Sequence, residues 1–257
     1  MTTDGFGIGT VPVEGCVTDR LTLTNAVPAD QVPDVIERDR VLMAARPGMH
    51  QKLLPILAQP GTDTVLSGGA YLFDTVSNAE QFASWVANDF ELDGVRFPDR
   101  PMFQECSAKV WRVIAAENFR DLFTQQGLMR IEEWQFDAGA KFDSPDQAWP
   151  AIREHAAGAG LSSAWLLYDA GRREISIVST APSKSAAGES PETGIRRLAA
   201  LAAQPSIGHT LEKPGVKKIF DRTSFIYSIW FPVTAGGHDK PPLFPNSPPF
   251  PAPSRIL

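Results

Sequence analysis

Two copies of one pattern of apolar and polar positions run along the chain. The first begins at Leu21–Val27, where apolar and polar residues alternate as in a half-buried strand. Residues 29–45 follow, with Val32, Val35, Ile36 and Val41 at helical spacing, and Arg46-Pro47-Gly48 stops that helix. Met49–Leu57 and Val65–Phe73 predict two strands, separated by the Pro60-Gly61 turn; Pro55 marks the former as an edge or bulge. A helix over Ala79–Phe90 places Phe82, Trp85 and Val86 on one face, with cap residues in 74–78. Glu105–Ala115 predicts the fourth strand.

The second copy reads Leu128–Phe136 (strand), 144–159 (helix), Leu161–Asp169 and Glu174–Thr180 (strands), 191–203 (helix) and 222–233 (strand). Each copy has the order β-α-β-β-α-β, the split βαβ unit. Such a unit leaves one sheet face without helices, and two units can bury those faces on each other. The expected fold class is therefore α+β: two tandem ferredoxin-like units packed sheet to sheet as a pseudo-dimeric α+β barrel, with a pocket between the sheets. The expected division is an N-terminal arm (1–20), a first unit (21–120), a second unit (121–235) and a Pro-rich tail (236–257). The tail holds seven prolines between 241 and 257, which exclude helix and central strand and favour extended chain.

Composition narrows the function classes. Hydrophobic residues make up 43% and charged residues 21% of the 257 residues, as in an ordinary globular chain. A net charge of -6 without a basic stripe disfavours nucleic acid and anionic membrane surfaces as partners. No stretch of about 18 apolar residues and no cationic start followed by an apolar run is present, so a cytoplasmic protein is expected. Of the two cysteines, Cys106 is expected as a buried thiol.

The four histidines, His50, His155, His209 and His238, show no metal-ligand spacing, and no nucleotide or nucleophile-elbow motif is present. No metal and no cofactor are therefore expected. Aromatic residues on strands are the stronger signal: Tyr71, Phe73, Trp111, Trp134, Trp165, Tyr168 and Tyr227, with Arg112 beside them, are expected to line the pocket. Charged residues in strands need a reason to be there. Glu132 and Glu133 are adjacent, so one faces each side of the sheet, and the inward one suits acid–base work. His50 opens a strand and His209 precedes the last one. These four are the catalytic candidates.

The residues Arg46-Pro-Gly-Met49, Gly68-Gly-Ala-Tyr-Leu-Phe73, 77–85 and Ala108-Lys-Val-Trp-Arg-Val113 resemble the YdhR-type monooxygenase-like family of the dimeric α+β barrel superfamily. The resemblance covers roughly residues 20–118; the second copy lacks the Gly-Gly-x-Tyr-Leu-Phe motif. It implies a pocket for an aromatic or polyketide-like substrate, formed within one chain as an internal pseudo-dimer or in a homodimer. The function expected is a small-molecule enzyme acting on a hydrophobic aromatic or polycyclic compound by acid–base chemistry, as a cofactor-independent monooxygenase. The alternatives are a lyase, dehydratase or isomerase on such a substrate, and a non-catalytic ligand-binding or haem-binding protein.

Overall fold

A computed structural model describes residues 7–24, 26, 31–58, 64–120, 127–140, 145–182 and 191–230. Residues 1–6 and the Pro-rich tail, with His238, lie outside the described residues. In chain order the elements are β1 (Gly9–Thr10), β2 (Gly15–Leu23), α1 (Val32–Ala44), β3 (Met49–Ala58), β4 (Val65–Phe73), α2 (Val76–Asn88), β5 (Glu91–Leu92), β6 (Val95–Arg96), β7 (Phe103–Asn118), β8 (Leu128–Phe136), α3 (Trp149–Gly158), β9 (Ser163–Asp169), β10 (Glu174–Ala181), α4 (Pro191–Ala202) and β11 (Val216–Trp230). The fold is α+β, with antiparallel pairing in each strand pair whose register is resolved.

The chain forms two compact units. Among the described residues, one comprises Glu14–Trp111 with Tyr227–Trp230, and the other comprises 7–13 with Arg112–Ile226. Strands β7 and β11 contribute residues to both.

In the first unit the sheet order is β7-β2-β4-β3-β11. The sequence reading starts its first strand at Leu21, whereas β2 begins at Gly15. Cys16 to Asp19 are apolar or internally paired, are buried, and continue the ladder with β4 (Val17 opposite Tyr71, Asp19 opposite Gly69). Side chains two apart share a face. Asp19, Leu21 and Leu23 therefore lie on the same face as Ser67, Tyr71 and Phe73 of β4 and Lys52 and Leu54 of β3. Helices α1 and α2 cover this face, burying Val32, Ile36, Met43, Ala79 and Phe82 in one cluster with Tyr71 and Phe73. Thr75 caps α2 by accepting from the Asn78 amide at 3.1 Å, within the stretch the sequence marks. The opposite face, with Cys16, Gln51, Leu53, Ala70 and Leu72, is buried as well.

In the second unit the order is β7-β9-β10-β8-β11. Trp134 and Phe136 of β8 pack with Ile152 and Ala156 of α3 and Leu201 of α4. The last strand is longer at its start than the sequence pattern predicts: β11 opens at Val216, because alternation there is hidden by Lys217, Lys218 and Asp221. In both units the strand that ends the β-α-β-β-α-β order lies beside the one that begins it.

Candidate functional site

A cavity of about 40 Å³ lies in the first unit between α1 and the helix-covered face of the sheet; with its open mouth the space reaches about 430 Å³. Leu21, Val32, Ile36, Leu54, Phe97 and Trp230 give it apolar walls, and Asp39, Lys52 and Ser67 supply polar atoms. The interior has room for about three waters or the polar head of a ligand.

Lys52 dominates its electrostatics. It is 3% exposed. Its Nζ lies 3.8 Å from the Trp230 ring centroid and 4.5 Å from that of Tyr71, and it donates to the Met43 sulfur at 3.7 Å. It forms no direct ion pair among the described residues. Burial pulls the ammonium down from 10.5 to about 8, against the opposing pull of the Asp19 and Asp39 carboxylates. The two ring faces favour the charged form, by up to about 2 kcal/mol at a desolvated site.

Asp39 projects from α1. Its Oδ2 accepts from Arg100 Nη1 at 2.7 Å, while its Oδ1 is buried with no hydrogen-bond partner among the described residues. Burial raises its pKa, and the Arg100 hydrogen bond opposes that rise. Arg100 is itself buried, its guanidinium 4.8 Å and 5.0 Å from the Phe97 and Phe90 centroids. Tyr71 donates its hydroxyl to Asp19 Oδ2 at 2.8 Å, and burial drives the phenol well above its ordinary pKa. Glycine makes this geometry possible. A Cβ on Gly69 would meet Tyr71 Cε2 at 2.3 Å and its hydroxyl at 2.8 Å, so the ring lies flat over that position. Gly68 has φ +150, and a Cβ there would lie 2.2 Å from the Asp19 carbonyl oxygen.

The residues singled out from the sequence distribute as follows. Tyr71 forms the floor under Lys52, and Phe73 and Tyr227 belong to the surrounding core. Trp111 is buried and donates to Thr18 Oγ1 at 2.8 Å. His50 is half-buried on β3 and does not line the cavity. In the second unit Glu132 and Glu133 are both buried, on opposite faces of β8. Glu132 accepts from Lys218 at 2.9 Å and lies 3.4 Å from Arg130, which also grips Asp221. Glu133 stands opposite Ser176 of β10, on the face that also carries Trp165. Trp134 packs in the core, Tyr168 is half-buried, and Arg112 is exposed. One expectation is corrected. Cys106 is exposed, because it lies in the outer half of β7 where five consecutive residues face solvent. His155 and His209, far apart in sequence, bring their rings within 4.3 Å; both are exposed.

Sequence reasoning missed Lys52, Asp39, Asp19 and Arg100. A lysine within Gln51-Lys52-Leu53-Leu54 was the available signal. The register shift between Met49 and Gln51 hides which face it takes.

No family model matches the chain, and no curated protein sequence matches it. Solved structures do. A "putative monooxygenase" from Lactobacillus acidophilus has a TM-score of 0.50 at 8% identity, over 85% of this chain and 96% of that one. An anthrone oxidase-like protein has 0.47 at 12%, over 87% and 94%. A mutant chlorite dismutase from Candidatus Nitrospira defluvii has 0.41 at 11%, over 82% and 90%. The first of these shows a shared α+β fold, and a fold of this kind hosts unrelated chemistries. Among the described residues no helix is long and apolar enough to cross a membrane.

Proposed function

We propose that the chain is a small-molecule enzyme of the dimeric α+β barrel superfamily, related to the YdhR-type monooxygenase-like proteins. In this reading residues 21–120 and 121–235 are two ferredoxin-like repeats. The substrate is a hydrophobic aromatic compound that enters the cavity under α1 with its polar end inward.

The observation that carries this reading is Lys52: a buried ammonium with no ion pair among the described residues, facing an apolar cavity beside a carboxylate with one oxygen unused among those residues. Burying a charge without a direct counter-ion is costly, and such charges concentrate where function needs them. Asp39, its pKa raised by burial, is the base that takes a proton from the substrate; Lys52 holds the negative oxygen that results. Arg100 keeps the Asp39 side chain in place. A substrate activated in this way either yields electrons to molecular oxygen or rearranges or eliminates without it. The first is the monooxygenase reading, and the second is the lyase, dehydratase or isomerase reading.

The test is a screen of naphthols and tetralone-type ketones, followed by absorbance and by an oxygen electrode. Turnover is expected in the wild type and a loss of at least about hundredfold in Lys52→Met and Asp39→Asn, each shown to be folded by circular dichroism. Wild-type turnover in both variants would place the chemistry elsewhere. Oxygen uptake that matches substrate loss selects the monooxygenase; substrate loss without uptake selects the alternative.

A further inference from the structure

In the second unit two histidines from distant segments come together. His155 lies on α3 and His209 opens the 3-10 turn His209–Leu211 before β11. They are 54 positions apart (209 − 155), so no spacing in the sequence announces the pair. Their ring centroids are 4.3 Å apart and the ring planes are inclined at 55°. Both are held from one core. Ile152 and Ala156 on α3, and Ile207 and Leu211 around the turn, are buried in the same apolar cluster. The imidazoles themselves are exposed, within reach of ions in solution.

One hydrogen bond fixes what His209 presents. Its Nδ1 lies 3.0 Å from the Ser206 carbonyl oxygen. A carbonyl only accepts, so Nδ1 carries the hydrogen and the neutral ring keeps its lone pair on Nε2. Metal-ligating histidines are oriented in this way, with the second nitrogen tied to a backbone carbonyl or carboxylate. The tilt of the rings is equally telling. An ion lies in the plane of each imidazole that binds it, so two parallel, stacked rings share no such position. Planes inclined at 55° meet in a line, and an ion on that line lies in both. The separation then selects the geometry. Metal–nitrogen bonds of about 2.0–2.1 Å put the centre of an imidazole roughly 3.2 Å from its ion. Rings 4.3 Å apart then subtend roughly 85° at the ion. That angle fits neighbouring positions of a tetragonal complex better than the wider angle of a tetrahedral one, and tetragonal nitrogen sites suit copper(II) and nickel(II).

We propose that His155 and His209 form a two-imidazole site for a divalent copper or nickel ion, with water in the remaining coordination positions. Among the described residues no third His, Cys, Asp or Glu joins the pair. Two neutral nitrogens without a carboxylate leave magnesium and calcium, which seek oxygen ligands, unmatched. Copper(II) binds tightest, as it does at nitrogen sites generally. The site stands apart from the reading of the cavity under α1, and its test leaves that reading untouched.

The experiment titrates metal-free, full-length protein with copper(II), nickel(II), zinc(II) and magnesium chlorides near neutral pH by calorimetry. The copper complex is followed by electron paramagnetic resonance. The wild type is expected to bind copper more tightly than nickel or zinc and to leave magnesium unbound. His155→Ala and His209→Ala should each weaken copper binding at least about tenfold, the least that loss of an outer-shell partner alone costs such a site. The nitrogen hyperfine pattern of the bound copper should weaken in each. Both side chains face solvent, so the variants should keep the wild-type circular dichroism. His238→Ala, which removes a histidine outside the pair, should bind copper as the wild type does. Copper binding that both alanine variants retain at wild-type strength, or zinc held more tightly than copper, would overturn the proposal.

Discussion

The Nζ of Lys52 sits 3.8 Å from the centroid of the Trp230 indole, although 178 positions separate them along the chain (230 − 52). One residue lies on β3 and the other ends β11, so the pairing of those two strands builds the charged floor of the cavity. The first prediction follows from that contact. Trp230→Leu removes one of the two ring faces above the ammonium. The charge then loses about 1–2 kcal/mol of support, and Lys52 should titrate lower still. A pH titration of the Lys52 ammonium followed by NMR should show its midpoint below that of the wild type.

Lys52 also makes stability depend on pH in a defined direction. Its folded-state pKa is about 8 and its ordinary value 10.5. Between these the unfolded chain binds more protons than the folded one, so stability rises with pH across this window. Below about pH 8 the full penalty is present, about 3 kcal/mol for a shift of this size. Tyr71 acts in the opposite sense above pH 10, since its raised phenol pKa favours the unfolded, ionised form there. Urea denaturation of wild type and Lys52→Met should therefore show the wild type gaining on the variant from pH 8 to 10. Parallel curves would contradict a depressed Lys52.

Asp39 and Arg100 form a buried pair at 2.7 Å with both side chains less than a tenth exposed. Asp39→Ala leaves the guanidinium buried without its counter-charge and should cost about 3–5 kcal/mol. Asp39→Asn keeps the shape and one acceptor, and should cost less. Chemical denaturation midpoints of the two variants check this order.

The adjacent glycines of β4 should respond unequally to alanine. At Gly69 the obstacle is the Tyr71 ring, which can swing away at the expense of its bond to Asp19, for about 1–3 kcal/mol. At Gly68 the obstacle is the Asp19 backbone, and the positive φ adds strain. Gly68→Ala should be the more destabilising of the two by thermal or urea denaturation.

Glu132 is tied to Lys218 and Arg130. Glu132→Gln should lower stability by about 1–3 kcal/mol, the cost of breaking a buried charge-assisted network. Turnover should stay within about twofold of wild type. A loss of turnover without a loss of stability would return Glu132 to the catalytic candidates.

Much of this protein is legible in its sequence. Alternation at period 2 and apolar spacing at 3.6 placed four helices and most strands to within a few residues, because each element's burial is written in its own residues, while β2 and β11 begin six residues earlier than the pattern predicts. Large aromatics are buried on those strands, Trp111, Trp134 and Trp165 among them, but none of the aromatics expected to line a pocket is among the residues that line the cavity under α1. What the sequence left open was phase and partnership. Glu132 and Glu133 are equivalent as letters, and only the ladder with β10 and β11 sends one to the Lys218–Arg130 network and the other to the opposite face. His155 and His209 meet only because α3 and the turn before β11 pack side by side. The candidate site is the extreme case. Lys52, Asp39, Tyr71 and Trp230 come from three strands and a helix, and the bulge at the start of β3 removes the parity that would mark Lys52 as inward. Local periodicity follows from local burial and can be read one residue at a time. A site assembled from distant segments depends on strand order and register, which are set by the packing of the whole unit.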